Sequence, residues 1–322
     1  MNTPISTAAR LPHFPVAAFA IVMGLGGLAL AWRKAEDLLP LPISLSPVLL
    51  ALTTLAFIVI AGFYAAKLLR HPEAVKKEWR HPIKLSFVPT LSIALILLAI
   101  AWLPERAAYS QLLWLIGASL HLILTLYIAT RWLHGGEFQI VHMNPAWFIP
   151  VVGNILVPIA GVAHAPVEVA WFFYAIGIVF WPVLLTIVFY RLIFHGSLPE
   201  RLMPTLFILI APPAVGFISY VRLTGDIDAF AQILYYAALF FTLLLAFQLR
   251  WFTRLKFYLS WWAYSFPLAV LAIASLSMFE HSGSRLHLQL SGLLLGIATV
   301  LIAGLIGRTA LAVARKEICV EE

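Results

Sequence analysis

Charge is scarce in this sequence. Asp, Glu, Lys and Arg make up 11% of its 322 residues, against 62% apolar ones, where a soluble domain carries about a quarter charged residues. That balance excludes a soluble enzyme or nucleic-acid-binding domain and leaves a polytopic membrane protein. Ten spans of about 20 residues each use roughly 200 positions, so only short loops remain and the chain reads as a single transmembrane domain. Cysteine is scarcer still. Cys319 stands alone, which excludes an internal disulfide and a cysteine metal cluster. A small-residue cleavage site behind a short apolar core is also missing: the first run continues to Trp32, and no cleavable signal peptide is expected.

Catalytic and metal-ligating patterns are absent as well. Ten histidines are present, but none forms an HExxH motif or a His-x-x-x-His pair on a predicted helix face. His71 and His81 fall in a basic loop, and His281 and His287 flank a turn. His121 is the one histidine deep inside an apolar run, where a core residue with its hydrogen bonds satisfied is expected. Glu36, Asp37, Glu168, Asp226 and Asp228 all sit at run ends. No nucleophile, base and ligand set converges, so neither enzyme activity nor a cofactor is expected.

What is present is a series of apolar runs, at about 15–32, 45–69, 85–103, 108–133, 146–163, 167–194, 204–221, 229–250, 257–279 and 288–313. Each is long enough to cross a bilayer as a helix. The net charge of +7 is read as topology. With an even span count both termini share a side, and placing them in the cytoplasm puts 16 of the 21 basic residues on that side, as the positive-inside rule favours. The loop from Arg70 to Lys84 carries much of this signal. It reads as a charged, helix-like connector that is first of all this topology signal, with binding of anionic lipid headgroups as the lesser reading.

The odd-numbered runs share a pattern. Aligned on proline they read FPVAAFAIV, VPTLSIALI, IPVVGNILV, PPAVGFISY and FPLAVLAIA. The aligned prolines, Pro15, Pro89, Pro150, Pro213 and Pro267, are 74, 61, 63 and 54 residues apart, about one two-helix hairpin each, and such a period argues for repeated units. Three places after the proline stand Ala18, Ser92, Gly153 and Gly216, with Val270 as the exception. Between their ends the odd runs carry no charge, only hydroxyls and amides such as Asn154. The expected architecture is all-α: five hairpins whose proline-kinked odd helices surround a central pore lined by these aligned residues, with bulkier even helices facing lipid. Phe266, directly before Pro267, is placed to plug that passage, with the proline deep inside a helix at 257–279. Gly292 and Gly296 form a GxxxG pair suited to close helix contact within the fold or between subunits.

Three stretches carry a resemblance over essentially the whole chain: FPVAAFAIVMGLGGLALAW from Phe14, GGEFQIVHMNPAWFIPVVGN from Gly135 and WWAYSFPLAVLA in the ninth run. They resemble the tellurite-resistance/dicarboxylate transporter family, which includes bacterial TehA and is related to the plant slow-type anion channels. The resemblance implies a homotrimer in the inner membrane, each protomer with its own pore, lined by five inner helices and occluded by a phenylalanine that corresponds to Phe266. TehA-like proteins often have Phe-Gly where this chain has Phe266-Pro267.

Two functions follow as expectations. One is a passive channel for small anions, since a pore without charged walls has no strong binding site and selects by size and dehydration. The other is a proton-coupled permease for C4-dicarboxylates such as malate, or for sulfite or tellurite-related anions. Such a carrier needs a buried ionisable relay, and the odd runs supply none.

Overall fold

The structure, a computed structural model, describes residues 10–319. Among these residues there are helices and no strands. Ten helical spans are long and apolar enough to cross a membrane: Val16–Leu38, Ser46–Arg70, Lys84–Trp102, Ala107–His134, Pro145–His164, Val167–Phe194, Glu200–Thr224, Ala229–Phe247, Leu259–Ser282 and Arg285–Ala314. One further short helix, Pro72–Arg80, lies between the second and third spans.

The spans form two concentric layers. Each odd span packs against the even span that follows it, which makes five hairpins. Each odd span also touches the next odd one in order, and the ninth returns to the first, closing a ring. Burial follows this order. The apolar windows of the first, third, fifth, seventh and ninth spans are 61% to 78% buried, and those of the even spans only 17% to 44%. The even spans turn Phe172, Val179, Phe240 and Val300 outward, as side chains in lipid should be. Lipid tails are as apolar as leucine, so burial alone does not draw helices together in a membrane; close fit does. The first span meets the ninth through glycines. A Cβ on Gly24 would meet the Ser265 and Trp262 side chains, and one on Gly27 would lie 3.0 Å from Phe266 Cδ2 and 3.3 Å from Ala269 Cβ. Tryptophans tie inner spans to outer ones: Trp32 Nε1 donates to Thr299 Oγ1 and Trp262 Nε1 to Thr309 Oγ1, both at 3.0 Å.

Every odd span begins with a 3₁₀ segment or carries one near its start: Val16–Ala18, Lys84–Phe87, Pro145–Trp147, Glu200–Ile210 and Leu259–Tyr264. This corrects the reading of 257–279 as one helix with proline deep inside. The α-helix there is Ser265–Ser282, so Pro267 falls in its first turn, where a missing N–H costs nothing. Pro89 precedes Thr90–Trp102, Pro213 lies in the first turn of Ala211–Thr224, Pro150 lies within Phe148–Val152 and Pro15 precedes Val16–Ala18. The aligned prolines therefore mark places where the inner helices start or restart.

The first span runs six residues further than its apolar run, through Arg33, Lys34, Glu36 and Asp37 to Leu38. Its charges are paired. Arg33 bonds Glu105 at 2.8 Å and Asp37 at 3.3 Å, and Lys34 bonds Glu280. Glu36 accepts from the backbone N–H groups of Leu45 and Ser46. This belt holds together the ends of the first, third and ninth spans. The other end of the molecule, where the odd spans begin, is the basic end. The GxxxG pair is open: among the described residues, nothing lies within 4 Å of a Cβ built on Gly292 or Gly296.

Candidate functional site

A narrow cavity of about 80 Å³ lies inside the ring of odd spans, and all five contribute to its wall. The first span supplies Ala20 and Met23; the third Phe87, Thr90 and Ile93; the seventh Ile208, Ala211, Pro212 and Val215. The fifth lines it from Phe148 to Leu156, and the ninth with Trp262, Ala263, Phe266 and Pro267. None of these residues carries a charge. Thr90 is the one hydroxyl, and it donates to the carbonyls of Phe87 and Val16. The wall thus offers a permeant ion almost nothing to replace its water.

Phe266 is on this wall and only 6% exposed. Its ring rests on the bare Cα of Gly27 across the helix contact. Phe87, Phe148 and Trp262 share the lining, so Phe266 belongs to an aromatic and aliphatic collar. Of the other residues expected at the pore, Gly153 and Pro267 are on the wall. Ala18, Ser92, Asn154, Gly216 and Val270 are buried without lining the cavity, and so are Pro150 and Pro213, while Pro15 and Pro89 also lie off it. Ser92 turns to His121 on the fourth span, with Oγ and Nδ1 2.8 Å apart. Gly216 faces Leu234 and Ile178, and its carbonyl accepts from Tyr174. Asn154 donates to Thr125 Oγ1 and to the Val151 carbonyl. The wall uses instead residues one or two places before the aligned proline: Phe87, Phe148, Ile149, Ala211, Pro212 and Phe266. A 3₁₀ turn holds 3.0 residues rather than 3.6, so counting forward from proline at α-helical spacing points at neighbouring helices instead of the axis.

The cavity lacks formal charge but not a field. All five inner spans run in the same direction, so their dipoles place five positive ends on the basic side of the cavity, each equivalent to about half a charge. One of these ends is held by a buried ion pair. Glu78, on the short helix, accepts from Val16 N–H at 2.9 Å and from Lys67 Nζ at 2.9 Å. Lys67 also donates to the Phe14 carbonyl at 2.8 Å, and Tyr64 OH to Glu78 at 3.2 Å. Lys67 is 2% exposed and Glu78 7%. The pair was not read from the sequence, where Lys67 counted toward the topology signal and Glu78 fell within the charged connector between Arg70 and Lys84.

Nearly the whole chain, residues 13–311, matches the model of the family SLAC1, voltage-dependent anion channel. The chain is 29% identical over 306 residues to S-type anion channel SLAH3 of Arabidopsis thaliana, covering 93% of this chain and 48% of that protein. It is 27% identical over 274 residues to the Tellurite resistance protein TehA homolog of Haemophilus influenzae, covering 83% of this chain and 81% of the other. It is 26% identical over 284 residues to Uncharacterized transporter MJ0762 of Methanocaldococcus jannaschii, covering 81% and 83%. The chain spans about half the length of the plant relatives SLAH3 and SLAC1. SLAH3 is named for a channel, MJ0762 for a transporter and the TehA homolog for tellurite resistance; none is named for an enzyme.

Proposed function

The chain belongs to the voltage-dependent anion channel family, and we propose that it is a passive channel for small monovalent anions, with the cavity as its pore and Phe266 as the occluding residue. The observation that carries this reading is the uncharged wall contributed by all five inner spans. A site without cations holds no anion tightly, so ions leave as readily as they enter, and a hydrophobic constriction gates by excluding water. Preference for anions comes from the five parallel helix dipoles. Preference for small monovalent ones comes from dehydration: in a Born picture the cost grows with the square of the charge, so a dianion faces about four times the barrier.

Orientation and assembly follow the same reading. The basic end, with both termini, lies in the cytoplasm of a cell whose inner membrane holds the protein. Three copies assemble, each with its own pore, and the open Gly292–Gly296 face supports close contact between copies or with lipid. A coupled permease for malate or sulfite is favoured by one observation: a titratable residue, His121, lies beside the wall. Reversal potentials of the reconstituted protein under chloride, nitrate, sulfite and malate gradients test the proposal. Potentials that follow chloride and nitrate, with no need for a pH gradient, are expected. Flux of malate or sulfite that follows the proton gradient would overturn it.

A further inference from the structure

His121 sits midway along the fourth span, Ala107–His134, and is fully buried. Ser92 Oγ lies 2.8 Å from both the Pro89 carbonyl and His121 Nδ1; with its single proton assigned to the carbonyl, it accepts from His121 and Nδ1 carries the hydrogen. Nε2 is then a bare lone pair, and it has no hydrogen-bond partner. The expectation of a satisfied core histidine holds for one ring nitrogen only. The free edge of the ring faces Gly153: a Cβ on that glycine would lie 2.8 Å from Nε2 and 2.9 Å from Cε1. Gly153 and Ile93, which together cover this edge, both line the cavity. Asn154, which follows Gly153 in the chain and is buried off the cavity, commits its amide hydrogens to Thr125 and Val151 and leaves Oδ1 without a donor. Two acceptors buried behind the wall, His121 Nε2 and Asn154 Oδ1, both lack a donor.

We propose that His121 is a proton-dependent subsite for the permeating anion, which deepens the channel reading and rests on it. A proton from the aqueous mouth adds to the Nε2 lone pair, with no other bond broken. The imidazolium keeps its Nδ1–H bond to Ser92 and gains an N–H donor against the one place in the wall with no side chain. Against the His121 ring lie Ser92 from the third span and Gly153 from the fifth, with Ile93 beside that glycine, and Thr125 bonds the His121 carbonyl from its own helix; none of them is charged. The titratable groups on these three elements lie far along them: Lys84 at the start of the third span, His164 at the end of the fifth, and on the fourth Tyr127, Arg131, Tyr109 and His134 about 9, 15, 18 and 20 Å away along the helix. The only counter-charge at the imidazolium is therefore the anion in the cavity. Proton and anion then strengthen each other's binding by the same factor, so the anion's occupancy of the site rises as the pH falls.

The test uses full-length protein with nitrate as the probe. In liposomes, the Phe266→Ala protein should carry several-fold more nitrate current at pH 5 than at pH 8, and adding His121→Asn should flatten that profile. Asparagine keeps a donor at the Nδ1 position for Ser92 and has nothing to protonate. Separately, nitrate should raise the melting temperature of the wild-type protein in detergent at pH 5 and not at pH 8, an effect that His121→Asn abolishes. If His121→Asn does not fold, His121→Gln, with its amide at the Nε2 position, replaces it in both measurements. A pH-dependent current or thermal shift that survives the substitution overturns the subsite and leaves the channel standing. A nitrate effect independent of pH also overturns it, as when a structural water alone occupies the site. Absence of nitrate current at every pH overturns the channel, and the thermal shift then decides His121 by itself.

Discussion

The inner and outer spans have the same composition class and the same job of crossing a bilayer, yet they obey different rules. Outer spans such as Val167–Phe194 and Arg285–Ala314 are long, and less than half of their apolar windows is buried. Almost any apolar side chain of any size satisfies lipid there. The inner spans are broken by 3₁₀ turns and prolines, and their side chains must fit one another to a fraction of an ångström, as Gly24 and Gly27 do against the ninth span. What differs is tolerance. Outer positions are set by hydropathy, inner ones by volume and by hydrogen bonding.

The largest effect expected from this difference is at the polar end of the inner layer. Lys67→Met leaves Glu78 buried without its cation, and breaking a buried pair in this way costs about 3–5 kcal/mol. A large loss of melting temperature, or failure to purify as a single species, is expected. An unchanged melting temperature would mean that the short helix does not anchor the first span. Next comes Gly27→Val, whose Cβ alone would lie 3.0 Å from Phe266 Cδ2 and which should cost about 1–3 kcal/mol. Gly292→Val, in open space, should leave the stability of a single protomer unchanged. Equal melting shifts for the two glycines would erase the distinction between layers. Smallest of all is Phe240→Ala on the lipid face, where 58% of the residue is exposed; a change within about 0.5 kcal/mol is expected in detergent.

The sequence carried the layers well because hydropathy, loop charge and the proline period each report on a whole span. Ten spans, their pairing into hairpins and the inward position of the odd ones were all legible. The facing of individual residues was not. Ser92 and Gly216 stand at the aligned place yet meet His121 and Leu234, since the 3₁₀ turns shift the helical phase by an amount no residue type announces. Phe87, Phe148 and Trp262 went unnoticed because aromatic residues are common throughout such a chain. Lys67 and Glu78 pair across a loop, and His121 lacks one partner, for reasons that exist only in three dimensions. The residues before the aligned prolines were the available signal, and only Phe266 among them was read.

The central claim is that the uncharged cavity conducts anions and that Phe266 closes it. Single-channel or liposome current of the Phe266→Ala protein under a chloride or nitrate gradient tests it most directly, with Phe14→Ala as the control. Phe14 also precedes a proline, but it stacks on Phe63 with ring centroids 5.6 Å apart and lies off the cavity wall. A ring seen edge or face by an approaching anion offers little to replace hydration, so removing it should raise the current severalfold. The melting temperature should fall less than a full core Phe→Ala cost of about 3–5 kcal/mol implies. Phe14→Ala should leave the current near that of the wild type. Well-folded Phe266→Ala protein that passes no more current than the wild type, in any anion tested, would contradict the account.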